Sequence, residues 1–326
     1  MKPSRLITAA ALLAFSTEAY GYVRSTTSVG DPANGLCLWW GKRQVSFAVN
    51  ATSAATPPNR TACPSCAPCQ DAAAAATLVA ATLPSWNGAT RAGEAQACTD
   101  LTFQSAGTTD KVALGNDGVN LIVFRSGQCQ DTSVVPQGDP CRSTVGACSA
   151  KYNCWEHDVT GTIGLTTTTF NPNTGEILDA DIELHGWDGH NPPNGSYFTC
   201  APSPSCGAAP YGASPLPADC TYVDVASIAL HEAGHVLGLD HTCQYAAPYS
   251  SCTPDSVMQP TIPTGATRRT LDADDVTGVC TIYPKGAATL TCAPAAGKSS
   301  GGCGTGGGGG LLALAGALLA RLRRRR

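Results

Sequence analysis

Between residues 225 and 241 the chain carries the pattern H-E-x-x-H-x-x-G-x-x-H, filled by His231, Glu232, His235, Gly238 and His241. Few backbones satisfy that spacing. Four residues turn a helix through about 400°, so His231 and His235 share one face, a turn apart, and can grip one ion. Glu232 sits about 100° round the same helix, which puts its carboxylate beside the ion's open position instead of among the ligands. Gly238 can take the left-handed conformation that ends a helix, so the chain turns sharply and returns His241 as a third ligand. Three neutral imidazoles suit Zn2+ and leave a fourth position for water, which the metal acidifies. Glu232 is then placed to take a proton as general base and to return it to a leaving group. A purely structural metal site fills its fourth position with protein and has no use for such a carboxylate.

The rest of the chain bounds where such chemistry runs. Residues 1–21 start with Lys2 and Arg5, continue through an apolar run at 6–15 and offer small residues at Ala19 and Gly21, the layout of a cleavable export signal. The apolar run is about half the ~20 residues that a membrane span requires. Seventeen cysteines in an exported chain point to an oxidising compartment and to disulfides. Cys303 stands apart in a Gly-rich tail, and the other sixteen form an even set compatible with eight bridges of open connectivity. Cys63, Cys66 and Cys69 read as members of that set in preference to a second zinc site. The formal charge of -4 conceals an acidic body. Without the basic residues of leader and tail, and without Glu18, 13 basic residues face 23 acidic ones, a net -10. That balance excludes nucleic acid as a partner.

Alternation of apolar and polar residues makes 37–50 a first strand followed by a Ser/Thr/Pro-rich loop. The Ala-rich stretch 70–86 reads as a helix, and 101–104 and 120–124 as strands separated by a turn at 115–118. Residues 129–154 form a cysteine-stapled loop. Extended structure resumes at 159–170, turns at 171–175 and returns at 176–184. After a Pro/Gly/Cys-rich loop at 191–220 comes the helix that bears the histidines, at about 222–237. One α+β domain over 22–284 is expected, monomeric, with a mixed twisted sheet and two long helices.

At His231, Glu232, His235, Gly238 and His241 the chain resembles the metzincin metalloproteases. Residues 256–260 resemble the Met-turn of that clan, and Met258 is the chain's second methionine, after Met1. Residues 271–283, with Asp274 and Asp275 at their start and Tyr283 at their end, resemble the C-terminal helix of the matrixins. The likeness is strong over 160–283 and thin before it. It implies a metzincin-like fold and a zinc metalloendopeptidase acting on extended protein or peptide substrates. Ile163, Gly164 and Leu165 would then lie on the edge strand that pairs with substrate, 180–184 on its neighbour, and 260–270 would wall the pocket after the scissile bond. Thr167 and Asp181 stand where matrixins place histidines for a second zinc, so one catalytic Zn2+ is expected. His157, His185 and His190 have no ligand spacing and read as ordinary surface or core residues. Calcium is a second cation that Asp179, Asp181 and Glu183 would suit, although solvated strand residues are the commoner case. Pro260 stands where astacins carry a zinc-binding tyrosine, and Thr242 follows the third histidine where matrixins have serine.

Past residue 284 the composition shifts to Gly, Ala and Ser. A linker at 285–305 holds Cys303, and 306–326 runs from glycines through an apolar segment to an arginine cluster. The order resembles the bacterial MYXO-CTERM sorting tail, in which the cysteine marks processing and surface anchoring. It implies an extracellular or cell-surface protein that touches the membrane only through this tail. The competing reading of the whole chain is a surface adhesion module that keeps zinc without turnover.

Overall fold

The apolar run Leu121-Ile-Val-Phe124 is buried on both faces, as expected of a central strand in a sheet covered on both sides. The computed structural model of the protein describes residues 22–28, 34–52, 69, 72–144, 146–156, 162–186, 196–200, 221–242, 255–262 and 266–292. The expected leader, Cys63, Cys66, His157, His190, Cys303 and the tail lie outside them. Five strands form the main ladder: β1 (Gln44–Asn50), β2 (Thr102–Thr109), β3 (Asn120–Arg125), β4 (Gly164–Phe170) and β5 (Glu176–His185). Their order is β2-β1-β3-β5-β4. The first four of these run parallel, and β4 lies antiparallel on β5 as the edge.

Three helices complete the fold: α1 (Ala72–Thr82), α2 (Val225–Val236) and α3 (Ala273–Ile282). Helix α1 packs on β1 and α2, and α2 packs on β4 and β5. A short 3-10 turn, Leu83–Trp86, extends α1, and the Trp86 indole donates to the carbonyl of Leu230. The core between these layers is held by Trp40, Phe47, Trp86, Phe124, Ile182 and Leu230, all buried. Mixed sheet and helices therefore agree with the α+β expectation, with α3 as the third helix.

Three expectations need correction. The stretch read as one strand at 37–50 is two: Trp39–Trp40 pairs with Glu176 and Ile177 of β5, a bend follows, and β1 begins at Gln44. The bend runs tight against β5, where a Cβ on Gly41 would overlap the Glu176 carboxylate. The fold also continues past 284. Leu290 donates to Ile282, Arg24 donates to Leu290, and Cys292 is bonded to Cys37. Finally, 222–224 belong to a short strand, Thr221–Asp224, parallel to Ser196–Thr199, and Asp224 caps α2.

Five disulfides occur among the described residues: Cys37–Cys292, Cys69–Cys200, Cys98–Cys280, Cys129–Cys154 and Cys141–Cys148. The last two staple a lobe at 129–154 with its own small core around Val135. Arg125, fully buried, joins that lobe to the sheet. It pairs with Glu183 at 2.6 Å and donates to the carbonyls of Val112, Ser149 and Tyr152.

Candidate metal centre

Helix α2 is apolar on nearly every face, so it is buried, and its ends are held by side chains from distant parts of the chain. At its start Asp224 accepts from the Ser227 N–H and hydroxyl, and Arg269 holds Asp224 in a two-pronged ion pair at 2.6 and 2.8 Å. At its end the Trp40 indole donates to Val236 and the Tyr283 hydroxyl to Leu237, meeting carbonyls that a helix terminus leaves unpaired. Gly238 follows at φ 81°, and the Leu38 carbonyl lies where a Cβ would go. Only glycine fits both demands. The chain turns there, Leu239–Asp240 pairs with Val23–Arg24, and His241 arrives beside the helix.

The three imidazoles meet at their Nε2 atoms. His231 and His235 are 3.1 Å apart, and each is 3.2 Å from His241. Among the described residues this is the one group of three metal-ligating side chains close enough to share an ion. Their tautomers are set from behind: His231 Nδ1 lies 2.6 Å from the Val257 carbonyl and His235 Nδ1 2.9 Å from that of Leu239. A carbonyl can only accept, so in the neutral ring each Nδ1 carries the proton and each Nε2 presents a lone pair. Burial, with the neighbouring rings adding to it, pushes His231 well below its usual value and His241 down to about 4. His235 is lowered by burial as well. Neutral rings with convergent lone pairs repel one another and suit a small cation; N-donor chemistry of this kind fits zinc.

Glu232 lies buried beside them, 4% exposed. Burial raises its carboxyl to about 7, opposed by a hydrogen bond from Thr166. The Thr166 hydroxyl is 2.7 Å from Glu232 Oε2. Below the helix Met258 is buried against Gly234, so closely that a Cβ there would strike its sulfur. The Met258 loop is held by Asp275, whose carboxylate accepts from the Ser256 hydroxyl at 2.7 Å and from Val257 N–H at 2.9 Å. Asp275 also accepts from Asp272 N–H, completing a capping box at the start of α3.

The sequence reading missed Thr166, and it saw Asp275 only as a helix-start residue. Neither role has a local signal, since each depends on how two elements sit against one another. Gly164 and Leu165 lie on the edge strand β4, and Ile163 directly precedes it. The Ile163 carbonyl accepts from His185 N–H, so by ladder parity the main-chain groups of Ile163 and Leu165 face β5. Those of Gly164 and Thr166 face the free edge. The carboxylates considered for calcium have separate partners: Asp181 accepts from Gly115 and Leu121, Asp179 from Gly118, and Glu183 from Arg125. Thr167 stands opposite Asp181 in the ladder. His185 is buried and stacks on Trp155. No helix among the described residues is long and apolar enough to cross a membrane.

Residues 152–284 match the family model described as matrixin, peptidase M10. Over 61 residues, 19% of its length, the chain is 43% identical to metalloendoproteinase 2-MMP of Arabidopsis thaliana. It is 41% identical to metalloendoproteinase 4-MMP of the same plant over a stretch of equal length. These alignments span 14% and 15% of the two relatives' own lengths.

Proposed function

We infer that this chain, whose residues 152–284 match the matrixin family model, is an exported zinc metalloendopeptidase that cuts proteins or peptides held in extended form. The observation that carries the reading is the meeting of three neutral imidazole Nε2 atoms next to a buried carboxylate on the same helix. His231, His235 and His241 would hold the metal. When bound, zinc supplies Lewis acidity, polarising a carbonyl and acidifying a water. The chain's own residues do the rest. The free edge of β4, through the main chain of Gly164 and Thr166, accepts substrate as an added strand. Glu232 takes a proton from the attacking water as the C–O bond forms, and delivers it to the amine nitrogen as the C–N bond breaks. Residues 260–262 and 266–270 wall the pocket that receives the side chain after the cut. The signal at 1–21 directs export, and the tail with Cys303 holds the protein at the cell surface, consistent with an oxidising environment for five disulfides.

The test is cleavage of casein or gelatin by the full-length protein. Glu232→Ala is expected to keep its zinc and to lose about 10^2- to 10^4-fold in kcat, the usual contribution of a positioned base. A chelator abolishes wild-type activity and added zinc restores it. Activity that survives the chelator, or a Glu232→Ala variant as fast as wild type, overturns the assignment, and zinc-loaded protein that cleaves neither substrate favours a zinc-holding adhesion module.

A further inference from the structure

The two carboxylate oxygens of Glu232 lie in different surroundings, and both are set by one face of β4. Gly164 and Thr166 are two residues apart on a strand, so they address the same side of the sheet, here the side covered by α2. Oε2 receives the Thr166 hydroxyl at 2.7 Å. The same hydroxyl is 3.1 Å from the Glu232 carbonyl, so it spans the residue's side chain and main chain. Oε1 occupies the space that Gly164 leaves open: an added Cβ would lie 2.5 Å from it and 2.8 Å from Ile228 Cγ2. Threonine suits the first task because its β-branch restricts χ1, which pre-sets the hydroxyl at little entropic cost.

We propose that Thr166 is a positioning residue for Glu232: its hydroxyl holds Oε2 and thereby leaves Oε1, above Gly164, as the oxygen that handles the proton. The inference rests on the peptidase reading for its kinetic consequence, while the geometry stands without it. Because the main-chain groups of Thr166 lie on the free edge where substrate would pair, one residue couples substrate docking to the orientation of the base.

The experiment compares Thr166→Val, which keeps the shape and loses the hydroxyl, with Thr166→Ser, which keeps the hydroxyl, in the full-length zinc-loaded protein. Loss of a hydrogen bond to a charged group predicts a fall in kcat of about 10- to 100-fold for valine, with KM within about twofold and zinc content unchanged. Serine restores kcat to within about threefold of wild type. A crystal structure of metal-free Thr166→Val is expected to show the Glu232 carboxylate turned away from its place above Gly164. Valine with wild-type kcat, serine as impaired as valine, or a change confined to KM each overturns the proposal. If the valine variant does not fold, Thr166→Ala against Thr166→Ser makes the same comparison. If the wild type shows no chelator-sensitive cleavage, the peptidase reading falls, and the Glu232 position in the metal-free variant still decides the role of Thr166.

Discussion

Gly164 illustrates how much a single missing methyl can matter. A Cβ at this position would press on Glu232 Oε1 and Ile228 Cγ2 together, so the groups that must shift are these two buried side chains, the carboxylate among them. Gly164→Ala is therefore expected to displace the carboxylate and lower kcat about tenfold or more, while overpacking costs about 1–3 kcal/mol of stability. Steady-state kinetics read beside a urea titration separate the two effects, and a variant with unchanged kcat would mean that the strand retreats without disturbing the base. The three clustered histidines and Glu232 could be named from sequence because helical periodicity and the turn at Gly238 fix their mutual placement within eleven residues. The packing of Gly164 and Thr166 on Glu232 could not, since that partner is 66 to 68 residues away and the strand's parity has no local marker.

Helix α3 shows an element used as a brace. Its Asp275 caps its own helix through Asp272 N–H and grips Ser256, Val257 and Met258, so the Val257 carbonyl that orients His231 is itself held by α3. Asp275→Ala removes acceptors from several buried donors and is expected to cost about 3 kcal/mol in urea unfolding. Zinc affinity should fall with it, measured by competition with a chromophoric chelator, because the His231 ring loses its orienting carbonyl. An Asp275→Ala protein that binds zinc as tightly as wild type would show that the Met258 loop keeps its place unaided. Element types were legible where patterns were long: the Ala-rich α1, β3 with its apolar centre 121–124 and the histidine helix all appear near their expected positions. The two-residue pairing at Trp39–Trp40 was not, since a bend of Gly41-Lys-Arg inside an alternating stretch leaves the period almost intact.

At the scale of the whole molecule, buried acids shape the response to pH. Burial raises Asp181 to about 7 against the N–H bonds from Gly115 and Leu121, and raises Asp179 and Asp275 in the same direction. In the unfolded chain such groups ionise near 4. Between pH about 4 and 7 the folded protein thus holds protons that the unfolded chain has released, so the stability these groups contribute at acid pH is lost as pH rises through 7. In metal-free protein the three histidines, lowered by burial, act in the opposite sense, so the contribution of Asp181 is read as the difference in urea midpoint between wild type and Asp181→Asn. The variant accepts one N–H bond instead of two and is expected to be the less stable, by more at pH 5 than at pH 8; a gap that widens as pH rises would contradict this. The fold's general class was readable from the order of strands and helices, and 129–154 from its cysteines as a stapled loop, but the pairing within that loop and its Arg125 anchor were not, because the disulfide pairing could not be chosen among many.

Two of those bonds have a topological consequence. Cys37–Cys292 and Cys98–Cys280 span 255 and 182 residues, tying the beginning of the fold to its end on either side of the histidine helix. A backbone cut anywhere between residues 98 and 280 leaves both fragments chained together, and the three clustered histidines stay on one of them for any cut before residue 231. A molecule nicked in this way persists as one particle until its sulfur links are reduced.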